Sequence, residues 1–118
     1  MKVLIVDDHP SFRASARRML EADGYEVVGE AATGAEGSRS AVEIAPELVL
    51  LDVHLPDIDG FDVAARLCAN GNSPAVVLTS SRDGSDFGPL VERSGARGFI
   101  PKSELSGEAL RRMLDERA

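Results

Sequence analysis

Five short apolar runs divide the chain: Lys2 to Val6, Val27 to Ala31, Leu48 to Leu51, Ala75 to Leu78 and Phe99 to Ile100. They are rich in Val, Leu and Ile and mostly lack polar alternation, the pattern of strands buried on both faces. The stretches between them change period. Phe12, Ala16, Met19 and Leu20 form one stripe at helical spacing, Ser38, Ala41, Val42 and Ala45 a second, Phe61, Ala64, Ala65 and Cys68 a third. Leu105, Ala109, Leu110, Met113 and Leu114 form the last. Each recurs at i, i+3, i+4, the mark of a helix with one apolar face. The punctuation agrees: Pro10 suits a first helical turn, Gly24 a C-terminal stop and Asp59 an N-cap before Gly60, while Pro46 bars helix continuation into the third strand. In "DGSDFGPLVERSG", Gly84, Gly88 and Pro89 predict a fourth helix that begins late, near Asp86, with Pro89 in its first turn, and is short or mobile. Five β-α units joined by right-handed crossovers make a single α/β domain, a doubly wound open parallel sheet of five strands with helices on both faces.

Composition narrows the class. At 118 residues the chain is one domain with no linker. An apolar share of 43% and a charged share of 28% are ordinary for a globular protein in water. No apolar run reaches bilayer length, and "MKVLIVDDHP" lacks the form of a signal peptide, so a cytoplasmic protein with no membrane partner is expected. Cys68 is the one cysteine, which excludes an internal disulfide. A net charge of −7 argues against direct nucleic-acid binding by this chain, since that affinity rests on clustered Lys and Arg.

The candidate chemistry sits where the strands end. In an open α/β sheet, ligands bind beyond the carboxyl ends of the strands. Asp7 and Asp8 follow the first strand, Asp52 the third, Thr79 the fourth and Lys102 the fifth. Adjacent carboxylates repel, and clustered acids with no protein cation among them ask for a hard divalent metal. Oxygen donors of this kind suit Mg²⁺, with Mn²⁺ able to substitute.

With those positions in view, "VDDHP", "LLDVHLPDIDGF", "VVLTSS" and "GFIPKSEL" resemble the response-regulator receiver domains of two-component signalling, the CheY-like family. The resemblance covers residues 1–118, with the motifs in the family's order. It implies a flavodoxin-like strand order of 2-1-3-4-5. It also implies that Asp52 is the phosphoacceptor, attacking a phosphohistidine or small phosphodonor to give an acyl phosphate. Asp7, Asp8 and Asp52 would hold the metal together with the main-chain carbonyl of His54. Thr79 would contact one phosphoryl oxygen and Lys102 pair with another, while Phe99 would move inward after Thr79. His54 and Ser81 stand where the family tunes phosphate lifetime. The implied partner is a sensor histidine kinase or phosphotransfer protein, and a homodimer through the fourth helix, fifth strand and fifth helix is the family's frequent response. Such a chain is not an enzyme on other substrates; it catalyses only its own phosphorylation and dephosphorylation. Phosphoryl transfer needs an in-line nucleophile and positive charge on the equatorial oxygens, which a metal and one lysine supply. Ser103 follows Lys102 where many members carry proline, so the residue type behind a frequent cis peptide is missing.

Plainer readings compete at each position. Asp8 alone could cap the first helix, Phe99 could be a core aromatic, and Cys68 reads as a small buried hydrophobe. His9 and His54 suggest zinc, but the surrounding oxygens favour magnesium. Asp57 and Asp59 have the Asp-x-Asp spacing of aspartate-based phosphatases, a poorer fit because Pro56 separates them from the buried strand. No nucleotide-binding glycine motif occurs. The chain stops at Ala118, after the fifth helix, so it is expected to carry no effector domain of its own. It would either dock to a partner or form the receiver part of a longer DNA-binding transcriptional regulator, which "VDDHP" and "GFIPKSEL" resemble more.

Overall fold

The computed structural model describes residues 1–69, 73–81 and 87–115. In chain order the elements are β1 (Lys2–Val6), α1 (Pro10–Ala22), β2 (Glu26–Ala31), α2 (Gly34–Ile44), β3 (Leu48–Asp52), α3 (Gly60–Leu67), β4 (Ala75–Ser80), α4 (Gly88–Ser94), β5 (Gly98–Pro101) and α5 (Gly107–Asp115). A single 3₁₀ turn, Lys102–Glu104, separates β5 from α5. All strand pairs are parallel and the order is β2-β1-β3-β4-β5, as the receiver resemblance implies.

The period-2 geometry of a strand explains the unbroken apolar runs. Alternate residues point to opposite faces, and here both faces are covered. Leu4, Val6, Val49, Leu51, Val76 and Leu78 pack in the layer that holds Phe61, Ala64 and Leu67 of α3. Val3, Ile5, Leu48, Leu50 and Val77 pack in the layer that holds Ala16 and Leu20 of α1 and Leu110 of α5.

Details of α2, of α5 and of Cys68 depart from the sequence pattern. In α2 the buried positions are Gly34, Gly37 and Ala41, whereas Val42 is 82% exposed and Ala45 is the exposed, left-handed C-cap. A Cβ on Gly37 would lie 2.9 Å from the methyls of Val6, so close packing on β1 selects the glycine face over the more hydrophobic one. Leu105 precedes α5 rather than lying in it; Ser106 caps that helix by accepting from the amide of Ala109, and Leu105 packs in the same cluster as Leu110. This is the geometry of a hydrophobic staple. α4 begins at Gly88, with Phe87 as N-cap and Pro89 in the first turn; the expected start at Asp86 lies outside the described residues. Cys68 is the half-buried C-cap of α3, its thiol donating to the carbonyl of Gly95 at 3.4 Å, and burial raises its pKa. No described peptide is cis, that following Lys102 included.

Candidate functional site

β1 and β3 lie side by side and end in buried acids: Asp7 has no exposed surface and Asp52 has 3%. The loop after Asp52 is fixed by main-chain bonds, from the amide of Val53 to the carbonyl of Thr79 at 2.9 Å and from Gly60 to the carbonyl of Val53 at 2.8 Å. Gly60 is obligatory there, because a Cβ would strike the carbonyl of Asp52 and come within 2.7 Å of Cα of Val53. Asp59 accepts from the amide of Phe61 at 2.7 Å as the N-cap of α3. Asp57 reaches another helix, accepting from Gly34 at 2.7 Å and Ala35 at 3.0 Å at the start of α2. Those two amides hold the Asp57 carboxyl below the usual carboxylate range.

Charge is concentrated between Asp7 and Asp52. Lys102 extends its ammonium to 2.7 Å from Asp7 Oδ2 and 3.5 Å from Asp52 Oδ2. The expectation that no protein cation lies among the acids is therefore corrected: the first turn after β5 delivers one. The ammonium also lies over the ring of Phe12, 4.2 Å from its centroid. Asp52 Oδ1 accepts from the amide of His54 at 3.1 Å. Burial drives the Asp52 pKa up, the His54 amide opposes it, Asp7 adds to the rise and Lys102 offsets part of it. Asp7 Oδ1 accepts from the amide of His9 at 2.8 Å, and Arg13 donates to the main-chain carbonyl of Asp7 at 2.6 Å while pairing with Glu30.

Asp8 does not cap α1. His9 holds the N-cap position and makes no side-chain cap bond. His9 Nδ1 instead lies 3.1 Å from both Asp7 Oδ1 and Asp8 Oδ1. Asp8 Oδ1 and Asp7 Oδ2 are buried and, although at ion-pair distance from His9 and Lys102, make no hydrogen bond of proper geometry. One donor atom from each of Asp7, Asp8, His9 and Asp52 falls within 4.8 Å of the others. Three carboxylates, two of them with a buried oxygen lacking a hydrogen-bond partner, fit a hard divalent cation, and the donor set is compatible with Mg²⁺. Of the two histidines considered from sequence, only His9 joins this group.

The β4 and β5 side of the rim is different. Thr79 is 1% exposed and its Oγ1 is buried without a hydrogen-bond partner. Phe99 is half-buried and meets Phe87 edge-on at 5.6 Å; Phe87 also meets Phe61 at 5.6 Å and His54 at 6.1 Å. Ser81 lies exposed just beyond β4. The sequence reading thus assembles Asp7, Asp8, Asp52 and Lys102 at one point, and it missed Phe12, Arg13 and Phe87. Phe12 was legible as a core residue of α1, but nothing in linear spacing ties it to a lysine 90 positions away.

Comparison with known proteins finds matches over nearly the whole chain. The response regulator receiver domain family matches residues 3–115. The transcription regulator BvgA of Bordetella pertussis is 42% identical over 103 residues, 87% of this chain and 49% of BvgA. The transcriptional regulatory protein LiaR of Bacillus subtilis is 36% identical over 110 residues, 92% of this chain and 52% of LiaR. The chain therefore spans about half the length of the curated relatives it matches. Among solved structures, the signal receiver domain of NarL from Mycobacterium tuberculosis superposes with a TM-score of 0.86 at 34% identity, covering 97% of this chain and 93% of that one.

Proposed function

The chain belongs to the response regulator receiver domain family, and on that premise we propose that Asp52 accepts a phosphoryl group from the phosphohistidine of a sensor kinase or phosphotransfer protein. The observation that carries this reading is the Lys102 ammonium 2.7 Å from Asp7 and 3.5 Å from Asp52, two buried carboxyls at the ends of neighbouring strands. Asp52 Oδ attacks phosphorus, the N–P bond to the donor histidine breaks, and an acyl phosphate forms. The raised pKa of Asp52 makes its ionised form depend on local positive charge, which Lys102 supplies. Mg²⁺, or Mn²⁺ in its place, held by Asp7, Asp8, Asp52 and the main-chain carbonyl of His54, adds positive charge for the phosphoryl oxygens when bound. The phosphoryl group brings about −1.5 to −2 charge units into a site already crowded with acids. Lys102 then turns from Asp7 toward a phosphoryl oxygen.

The unpartnered hydroxyl of Thr79 is placed to donate to a second phosphoryl oxygen. Its movement opens space for Phe99, and the edge contacts of Phe87 give the aromatic group two packings to choose between. The changed surface is α4, β5 and α5, through which the chain would act on a partner, an output domain or a second copy. His54 and Ser81 are exposed, and in this reading they would meet the incoming donor and the water that later hydrolyses the acyl phosphate. In this reading the chain turns over only its own phosphate. Relatives twice its length that are transcription regulators favour a receiver that controls a DNA-binding output in the cytoplasm. Among the described residues no helix is long and apolar enough to cross a membrane.

The test is intact-mass spectrometry after incubation with acetyl phosphate, with and without Mg²⁺, on the parent chain and Asp52→Asn. A single phosphate adduct that needs both metal and Asp52 is expected. An adduct of equal yield on Asp52→Asn would overturn the assignment.

A further inference from the structure

The ammonium of Lys102 has three directions to satisfy, and two carboxylates occupy only part of its surface. Asp7 Oδ2 lies at 2.7 Å, Asp52 Oδ2 at 3.5 Å, and the lysine side chain is only 15% exposed, so little water remains to complete its shell. The ammonium also lies over the ring of Phe12, 4.2 Å from its centroid, well inside the range in which a ring's negative face attracts a cation. Phe12 lies in the first turn of α1, immediately beyond the Asp7–Asp8–His9 loop, and packs in the layer of Leu20 and Leu110. The helix therefore carries the ring on the same rigid unit that follows the acidic loop, and any placement of the ammonium is made relative to Asp7 and Asp52 together.

We propose that Phe12 is a positioning residue for Lys102: its ring face holds the ammonium over the Asp7–Asp52 pair, ready for the phosphoryl oxygens. This rests on the reading of Asp52 as phosphoacceptor. The ring does two things that an aliphatic side chain of equal volume cannot. It compensates the lost hydration of the ammonium, and its attraction competes for the ammonium with Asp7, the nearer of the two carboxylates. A flexible lysine stem loses rotamer freedom when fixed, and that ordering is completed before the donor arrives.

A purely structural role for Phe12 depends on ring volume, whereas this one depends on the charge of the ring face. Replacing Phe12 in the full chain by mono-, di- and trifluorophenylalanine keeps the shape nearly constant while draining the negative face. Two quantities are read across the series and in Phe12→Leu: the rate constant for phosphate uptake from acetyl phosphate at saturating Mg²⁺, and the ring-current shift of the Lys102 ε-methylene protons by NMR. The rate is expected to fall stepwise by about threefold to tenfold from the parent to the trifluoro ring. The upfield shift of the Lys102 protons is expected to shrink in the same order and to vanish in Phe12→Leu. A flat rate and a flat shift across the fluorinated series would overturn the proposal. If the unsubstituted chain takes up no phosphate at all, the reading of Asp52 fails. The NMR series then decides the Phe12 contact alone: a graded loss of shift upholds it and a constant shift sinks it.

Discussion

The rim of the sheet is built in two ways. Beyond β1 and β3, two buried carboxylates flank one ammonium with Asp8 close by, and the pKa of Asp52 is raised because burial and Asp7 together outweigh the His54 amide and Lys102. On the β4 and β5 side, the Thr79 hydroxyl is unpartnered and Phe87 meets Phe61 and Phe99 edge to face. The charged half holds groups that would each rather be in water, and it is kept together by compensation between them. The aromatic half gains from packing and has no such conflict, but edge contacts between rings admit more than one arrangement at similar cost. Under the proposed function, chemistry would belong to the first half and readout to the second: a single new charge at Asp52 would change the balance in the first, and Thr79 on the neighbouring strand would pass the change to the second.

The largest effect that tests this division is removal of the ammonium. Lys102→Met should slow phosphate uptake from acetyl phosphate about a hundredfold, as loss of one charge-stabilising group does at other sites of this kind. The fold should also lose about 3 kcal/mol at low metal, because Asp7 and Asp52 are left facing each other, and Mg²⁺ should restore much of that loss. Thermal unfolding with and without metal measures it; an unaltered midpoint at low metal would remove Lys102 from the compensation. Gly60→Ala comes next. Its Cβ meets the carbonyl of Asp52 and the backbone of Val53, neither of which can swing aside, so a destabilisation of about 3 kcal/mol is expected in urea unfolding. On the aromatic side, Phe87→Ala should cost about 2 kcal/mol. It should leave the rate of phosphate uptake near the parental value, which would separate the two halves. A matching loss of uptake would join them.

A smaller effect has a definite sign. The folded-state pKa of Asp52 lies above its unfolded value, so the stability tied to its neutral form is present below the ordinary carboxylate pKa and is lost as pH rises through the folded value. Asp52→Asn, permanently neutral, should be more stable than the parent at pH 7, and the two should converge in acid. Asp57 runs the other way. Its depressed pKa contributes stability above the ordinary carboxylate range, lost as pH falls through the folded value, and Asp57→Asn should abolish that small dependence.

The strands were legible because alternate residues of β1, β3 and β4 enter two apolar layers, which leaves an unbroken hydrophobic run in the sequence. The strand-end acids were legible for the same reason, as the first charges after each run. The face of α2 was not, since backbone proximity to Val6 favours Gly34 and Gly37 over Val42, and hydrophobicity alone points to the wrong side. Leu105 shares the apolar spacing of α5 yet precedes the helix, because a staple residue looks like one more position of the stripe. The pairing of Lys102 with Asp7, and its seat on Phe12, join residues brought together only by the strand order. Asp57 was weighed as a catalytic acid and is instead bound to the amides of α2, a role that no local motif announces.

The central claim is that one carboxylate in the charged half, Asp52, takes the phosphoryl group. Borohydride reduction converts an aspartyl phosphate to homoserine and marks its position in the chain. After treatment with acetyl phosphate and Mg²⁺, peptide mapping should find homoserine at position 52 and at neither Asp7 nor Asp8. Homoserine at position 7 or 8, or a phosphate adduct that leaves position 52 as aspartate, would contradict it.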